Sequence, residues 1–214
     1  MNIAKTTIND AFIIDPVIHG DERGDFYEGF SRQCIFESTG YKFDVVQVNH
    51  SRSKKHILRG LHYQVENVQA KLIWVTAGEI YDVIVDLRRS SADFGRWHGD
   101  RLSAKNMRRM LVPEGFAHGF LVMSDTAEIT YLTSDIYNPA GERFLRWNCP
   151  KIRIEWPINT PKLNNYFLLP FSFIKILFLT IKSFLIIKKN NISILISTGG
   201  YMSLPLCLAA KILS

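Results

Sequence analysis

Between residues 7 and 160 the chain is a succession of short runs with period-two alternation, each bounded by glycine, proline or a charged cluster. This pattern constrains the fold more than any other feature. Segments of four to eight residues rich in Val, Ile, Thr, Tyr and Phe, with turn signals every 8–12 residues, specify an all-β sandwich or barrel. Residues 7–18 read as one or two strands, and Asp21-Glu22-Arg23-Gly24-Asp25 as a charged turn. A helix is expected around Arg32–Thr39, with Gly40 as its stop. Further strands are expected at 43–50, 58–64, 71–76, 81–87, 99–102, 110–113, 119–123 and 128–131. Trp147 to Pro157 reads as a closing loop and strand.

The pattern changes at Pro161. Residues 161–214 hold six lysines and no Arg, Asp or Glu, which leaves 20 basic residues against 20 acidic ones before that point. The net charge of +6 therefore belongs to the tail. A neutral body argues against an electrostatic nucleic-acid surface. Two regions follow: a domain over 1–161, and an apolar basic tail over 162–214 that is not an independent domain. Within the tail, Phe167 to Ile187 approaches a membrane span in length. Lys175 and Lys182, seven residues apart, fall on one helical face and fit an amphipathic helix better than a span. A strand at 192–196, a turn at Gly199-Gly200 and a helix at 204–213 complete the reading. Three widely spaced cysteines without a C-x-x-C pair suit a reducing compartment, and Met1–Asp10 lacks the order of a secretory signal. A cytoplasmic protein is expected.

The chemistry centres on Leu58-Arg59-Gly60-Leu61-His62-Tyr63-Gln64. Strand alternation puts Leu58, Gly60, His62 and Gln64 on one face and Arg59, Leu61 and Tyr63 on the other, unless a bulge at Gly60 re-aims one of them. An inward-facing histidine in a small barrel can be a base, a metal ligand or a core residue. Gln47 and Asn49 share a strand face, which suits a ligand cavity more than a core. The turn Pro113-Glu114-Gly115-Phe116-Ala117-His118 delivers a second histidine to a strand start, and its P-x-G-x-x-H order resembles half of a cupin metal signature. His62 and His118 alone do not close a metal site. The reading is a cupin-like jelly roll with no metal.

Five motifs in order carry a more specific resemblance: Asp21-Glu22-Arg23-Gly24, Gln47-x-Asn49-His50-Ser51, Leu58 to Gln64, Val112 to Phe120, and Tyr137-x-Pro139. Over about residues 5–161 the chain resembles the dTDP-4-dehydrorhamnose 3,5-epimerase family. The resemblance implies epimerisation at C3 and C5 of dTDP-4-dehydro-6-deoxy-D-glucose in dTDP-L-rhamnose biosynthesis, in a homodimer whose amino-terminal strands reach the neighbour's pocket. No cofactor is expected, because the ketone is itself the electron sink. Such chemistry needs a base, an oxyanion stabiliser and an acid on the opposite ring face. His62, Lys71 and Tyr131 are suited to those roles. By resemblance, Arg23, Glu28, Gln47, Asn49, Arg59, His118 and Glu142 bind the nucleotide sugar and Tyr137 stacks on the thymine. Arg23, Glu28 and Glu142 also read as surface ion pairs. Asp82, in step with Asp86, is a candidate to orient His118.

The family closes with Leu-Ser-x-Lys-Asp, whose Asp orients the catalytic histidine. Here the place reads Leu163-Asn164-Asn165-Tyr166-Phe167. His62 is therefore expected to be poorly oriented and a weak base, unless Asp82 or Asp86 serves it. That leaves open a catalytically impaired, nucleotide-sugar-binding cupin. The tail resembles an internal piece of the N-acetylglucosaminyltransferase that makes lipid II. It is too short for a nucleotide site or a core of its own, as a gene fusion or frameshift would leave it. Its basic, apolar character also keeps membrane contact open.

Overall fold

The computed structural model describes residues 1–163, together with Ile181, Lys182 and Leu185, which are helical and exposed. The chain divides after Asn164 into Met1–Asn164 and Asn165–Ser214. The expected tail strand, turn and second helix lie outside the described residues, as does Phe167.

The first unit runs β1 (Asn2–Lys5), β2 (Phe12–Asp15), β3 (Ile18–Asp21), β4 (Gly24–Tyr27), α1 (Arg32–Thr39), β5 (Gln47–Lys54), β6 (Leu58–Gln64), β7 (Lys71–Ala77), β8 (Glu79–Asp86), β9 (Trp97–Ser103), β10 (Arg109–Val112), β11 (Phe116–Val122), β12 (Thr126–Thr133) and β13 (Glu142–Phe144). A six-stranded sheet in the order β1-β2-β10-β7-β12-β5 faces a five-stranded sheet in the order β13-β6-β11-β8-β9, and β3-β4 stands apart as a hairpin. Every ladder within these sheets is antiparallel. This is the expected jelly roll.

The loose alternation has a physical reason. The core between the sheets takes Ile73 and Val75 from β7, Ile80 and Ile84 from β8, and Phe116, Phe120 and Val122 from β11. Leu72 of β7 packs on the other face, with Phe12, Ile14, Ile35 of α1 and Phe43. Val83 and Val85 of β8 pack outward against Trp147, Ile152, Ile154 and Trp156. Central strands buried on both faces read as continuous apolar runs rather than strict alternation. The closing segment 147–157 is loop throughout, not the expected loop and strand; it covers the five-stranded sheet, with Trp156 Nε1 donating to the Trp147 carbonyl at 2.9 Å. The strand that closes that sheet is β13, ahead of the segment.

The helix matches its expected range. The Ser31 hydroxyl caps it by accepting from the Cys34 N–H, and Gly40 ends it at φ 72°. No helix among the described residues is long and apolar enough to cross a membrane. One buried group stands out: Arg109, 2% exposed, lies against the rings of Trp74 and Tyr27, with Nε and Nη1 unpartnered among the described residues.

Candidate active site

Inward-facing positions of the two sheets change from apolar to polar along the barrel, and the polar end opens as a cavity of about 340 Å³. On β7, Ile73 and Val75 fill the core while Lys71, in step with them, lines the cavity. On β12, Ala127 and Ile129 are core and Tyr131 reaches the cavity. The facing sheet supplies His62 from β6 and His118 from β11, directly paired across the ladder. Histidines on one wall and Lys71 with Tyr131 on the other follow from the strand order alone.

Gly60 settles which residues of the 58–64 stretch enter the cavity. Phe120 pairs with Arg59 and His118 with His62, so Gly60 and Leu61 together oppose the single residue Gly119. That is a β-bulge. Directly paired residues project to the same side. Of the two readings the sequence left open, simple alternation and a bulge at Gly60, the structure takes the bulge: Arg59 and His62 both line the cavity, while Leu61 packs outward with Val83 and Val85. Glycine is required here, because φ is +116° and a Cβ would sit 2.6 Å from the Gly119 Cα.

His62 Nδ1 and Glu142 Oε1 are 2.9 Å apart, and Glu142 Oε2 accepts from the Tyr137 hydroxyl at 2.9 Å. His62 therefore has a carboxylate at Nδ1, where the sequence offered none unless Asp82 or Asp86 served. The carboxylate is neither Asp82 nor Asp86. Asp82, fully buried, meets His118 Nε2 at 2.7 Å, as the sequence suggested. Asp86 accepts from Arg88 and Ser91. Among the described residues no group of three or more His, Cys, Asp or Glu is placed to hold a metal ion.

Burial holds the His62 imidazole below its usual pKa, against the pull of Glu142. Lys71 and His118 push in the same direction as burial. At neutral pH His62 is a neutral base whose Nε2 has no partner among the described residues. Desolvation lowers Lys71 to about 8, with Asp82 and Glu142 opposing. Burial raises the Tyr131 phenol, which keeps it protonated.

Of the expected site residues, Gln47, Asn49, Arg59, His62, Lys71, His118, Tyr131, Tyr137 and Glu142 all line this cavity. Gln47 donates to Asn49 Oδ1 at 2.7 Å, and its own carbonyl oxygen accepts from the Tyr137 N–H at 3.2 Å. Arg23 and Glu28 do not line it. Arg23 pairs with Asp21 within the exposed β3–β4 hairpin. Sequence reasoning passed over Ser51, Tyr63, Gln64 and Gln69, which line the cavity too. Ser51 continues the Gln47–Asn49 face and Gln64 the His62 face, so period two could have found both. Ser51 Oγ is buried without a partner among the described residues, a hydroxyl available to a ligand.

Two facing antiparallel sheets around a polar cavity, with a neutral histidine on one wall and a protonated phenol and a cation on the other, define a cupin-type jelly-roll enzyme built for proton transfer. A family model described as dTDP-4-dehydrorhamnose 3,5-epimerase matches residues 5–168. The chain is 49% identical over 166 residues to an enzyme of that name from Shigella flexneri, covering 77% of this chain and 92% of the relative. It is 46% identical over 163 residues to one from Pseudomonas aeruginosa, covering 76% and 90%. A crystal structure from Legionella pneumophila, a dTDP-6-deoxy-D-glucose-3,5-epimerase in complex with dTDP-4-keto-L-rhamnose, superposes with a TM-score of 0.74 at 45% identity, over 77% of this chain and 88% of that one. The chain belongs to the dTDP-4-dehydrorhamnose 3,5-epimerase family.

Proposed function

We propose that this chain epimerises dTDP-4-dehydro-6-deoxy-D-glucose at C3 and C5 to dTDP-4-dehydro-L-rhamnose, as a step of dTDP-L-rhamnose biosynthesis. The observation that carries the proposal is the placement of His62 and Tyr131 on opposite walls of one cavity, with Lys71 beside Tyr131's wall. Inversion beside a ketone requires a proton to leave one ring face and another to arrive on the opposite face.

His62 Nε2 takes the proton from the carbon next to the ketone, and the C–H electron pair moves into the C–C bond as the carbonyl becomes an enolate. The Lys71 ammonium stabilises the oxyanion; one such donor is worth about 10²–10³ in rate. The Tyr131 hydroxyl then delivers a proton to the other face, the carbonyl re-forms, and solvent resets both groups. The same cycle at the second α-carbon completes the reaction. No cofactor or metal takes part in these steps. Asp82 holds His118 on the cavity wall, where its ring can hydrogen-bond the sugar, and Arg59 is suited to the diphosphate. Gln47, Asn49 and Ser51 offer polar contacts, and Tyr137 a face for the thymine.

The enzyme works as a homodimer in which the exposed hairpin β3–β4, carrying Arg23 and followed by Glu28, reaches the cavity of a second copy. The absence of both residues from the cavity lining of their own chain supports this. Residues 1–161 are the catalytic domain, and 162–214 form an appended tail. The setting is cytoplasmic, in keeping with free Cys34 and Cys149. Incubating the full chain with the keto-sugar nucleotide and following the sugar by NMR tests the activity. The expected product is the L-lyxo epimer; saturable binding of dTDP with the sugar unchanged would identify a binding protein instead. Sedimentation equilibrium reads the dimer, and a monomer would count against the shared site.

A further inference from the structure

We infer that Glu142 is the positioning carboxylate of His62 in this chain, a role distinct from the substrate contact that family resemblance gives it. The inference rests on the epimerase reading for its catalytic meaning, but not for the contact itself.

The geometry fixes both ends of the carboxylate. Oε1 meets His62 Nδ1 at 2.9 Å and Oε2 accepts from the Tyr137 hydroxyl at 2.9 Å, so both oxygens are already held by side chains of the site. The backbone supports the pairing. β13 lies beside β6, with Glu142 opposite Gln64 and Phe144 opposite His62. The Phe144 ring stands edge-on to the imidazole, with centroids 4.8 Å apart and planes at 62°. The His62 ring is thus held by a carboxylate at Nδ1 and an aromatic ring beside it. Partial burial keeps the pair effective, with side-chain exposures of 37% for His62 and 22% for Glu142.

Supply and demand agree. The last Asp or Glu in the sequence is Glu155, so residues 156–214 offer the histidine no acidic side chain. Asp82 is engaged by His118 and Asp86 by Arg88 and Ser91. Among the described residues, the titratable and charged groups around His62 are Glu142 from β13, His118 from β11 and Lys71 from β7, with Arg59, Tyr63, Tyr131 and Tyr137 further along the cavity wall. Glu142 is the acid among them that touches the ring.

An Nδ1–H donated to Glu142 leaves the Nε2 lone pair directed to the cavity, and the same carboxylate stabilises the imidazolium that forms when His62 takes a proton. A carboxylate that only bound substrate would do neither.

The test uses the full chain carrying Glu142→Gln, with Glu142→Asp as a charge-retaining control. In the substrate-free proteins, the His62 ring is titrated by NMR, its signals assigned by their loss in His62→Gln. Glu142 favours the imidazolium, so Glu142→Gln should lower the His62 pKa and Glu142→Asp should lower it less. In turnover, Glu142→Gln should reduce kcat at least tenfold with little change in KM, and the acidic limb of kcat/KM should move to lower pH with the ring's pKa. An unchanged His62 pKa overturns the inference, and so does a raised KM with kcat preserved. The titration needs no substrate. A wild-type chain that binds dTDP without turnover, yet shows the pKa drop, would fail the epimerase reading while leaving the His62–Glu142 pair standing.

Discussion

Replacing Gly60 with alanine should damage the fold and the site together, and the size of the effect can be worked from the bulge. The added Cβ would stand 2.6 Å from the Gly119 Cα and 2.7 Å from the His118 carbonyl oxygen. Both are backbone atoms of the neighbouring strand, so no side-chain rotation relieves the contact. A φ of +116° adds a second cost, since L residues rarely occupy that region. Backbone strain of about 1–3 kcal/mol and an overpacking penalty of about 1–3 kcal/mol sum to roughly 2–6 kcal/mol. At about 2–4 °C per kcal/mol for a chain of this size, calorimetry should show Tm falling by roughly 4–24 °C. The remaining folded protein should also lose activity, because the bulge is what points Arg59 and His62 at the same cavity. A Gly60→Ala protein with the parent's Tm and turnover would refute the reasoning from the bulge.

Lys71 and Arg109 make two further tests. With Lys71 lowered to about 8, the ammonium is about nine-tenths protonated at pH 7 and about one-tenth at pH 9. The wild-type kcat/KM should therefore fall through an alkaline limb near pH 8. Lys71→Arg should be slower but lack that limb, because guanidinium stays charged; an identical limb in both proteins would rule out Lys71 as its source. Arg109→Met should raise stability by about 1–3 kcal/mol in a denaturant titration, since a buried cation with no carboxylate partner among the described residues is removed. A loss of stability would mean that the Trp74 and Tyr27 rings more than offset the desolvation.

How much was readable in the sequence follows how far apart the interacting residues are. The helix was legible to the residue because Ser31 and Gly40 mark both ends locally. The shared cavity face of Gln47 and Asn49 was legible from strand parity, and Lys71 and Tyr131 from the oxyanion stabiliser and acid that epimerisation needs. The bulge was legible only as a possibility, since Gly60 allows one but the pairing with Gly119 fixes it. Glu142 could not be linked to His62 from spacing, because 80 residues separate them and the three-residue strand β13 gives no periodic signal. The loop from Trp147 to Pro157 looked like a strand because its Trp and Ile residues alternate; they are apolar because they cover a sheet face, not because they extend it.

The central claim is that one residue on each wall handles one proton. Transferring the wild-type chain, His62→Ala and Tyr131→Phe into D2O with the keto-sugar nucleotide and following the C3 and C5 protons by NMR tests this most directly. The wild type should exchange and invert both carbons. His62→Ala should exchange neither. Tyr131→Phe should still exchange them but give little inverted sugar. Equal and mild effects of the two substitutions, or exchange surviving in His62→Ala, would contradict the assignment of base and acid.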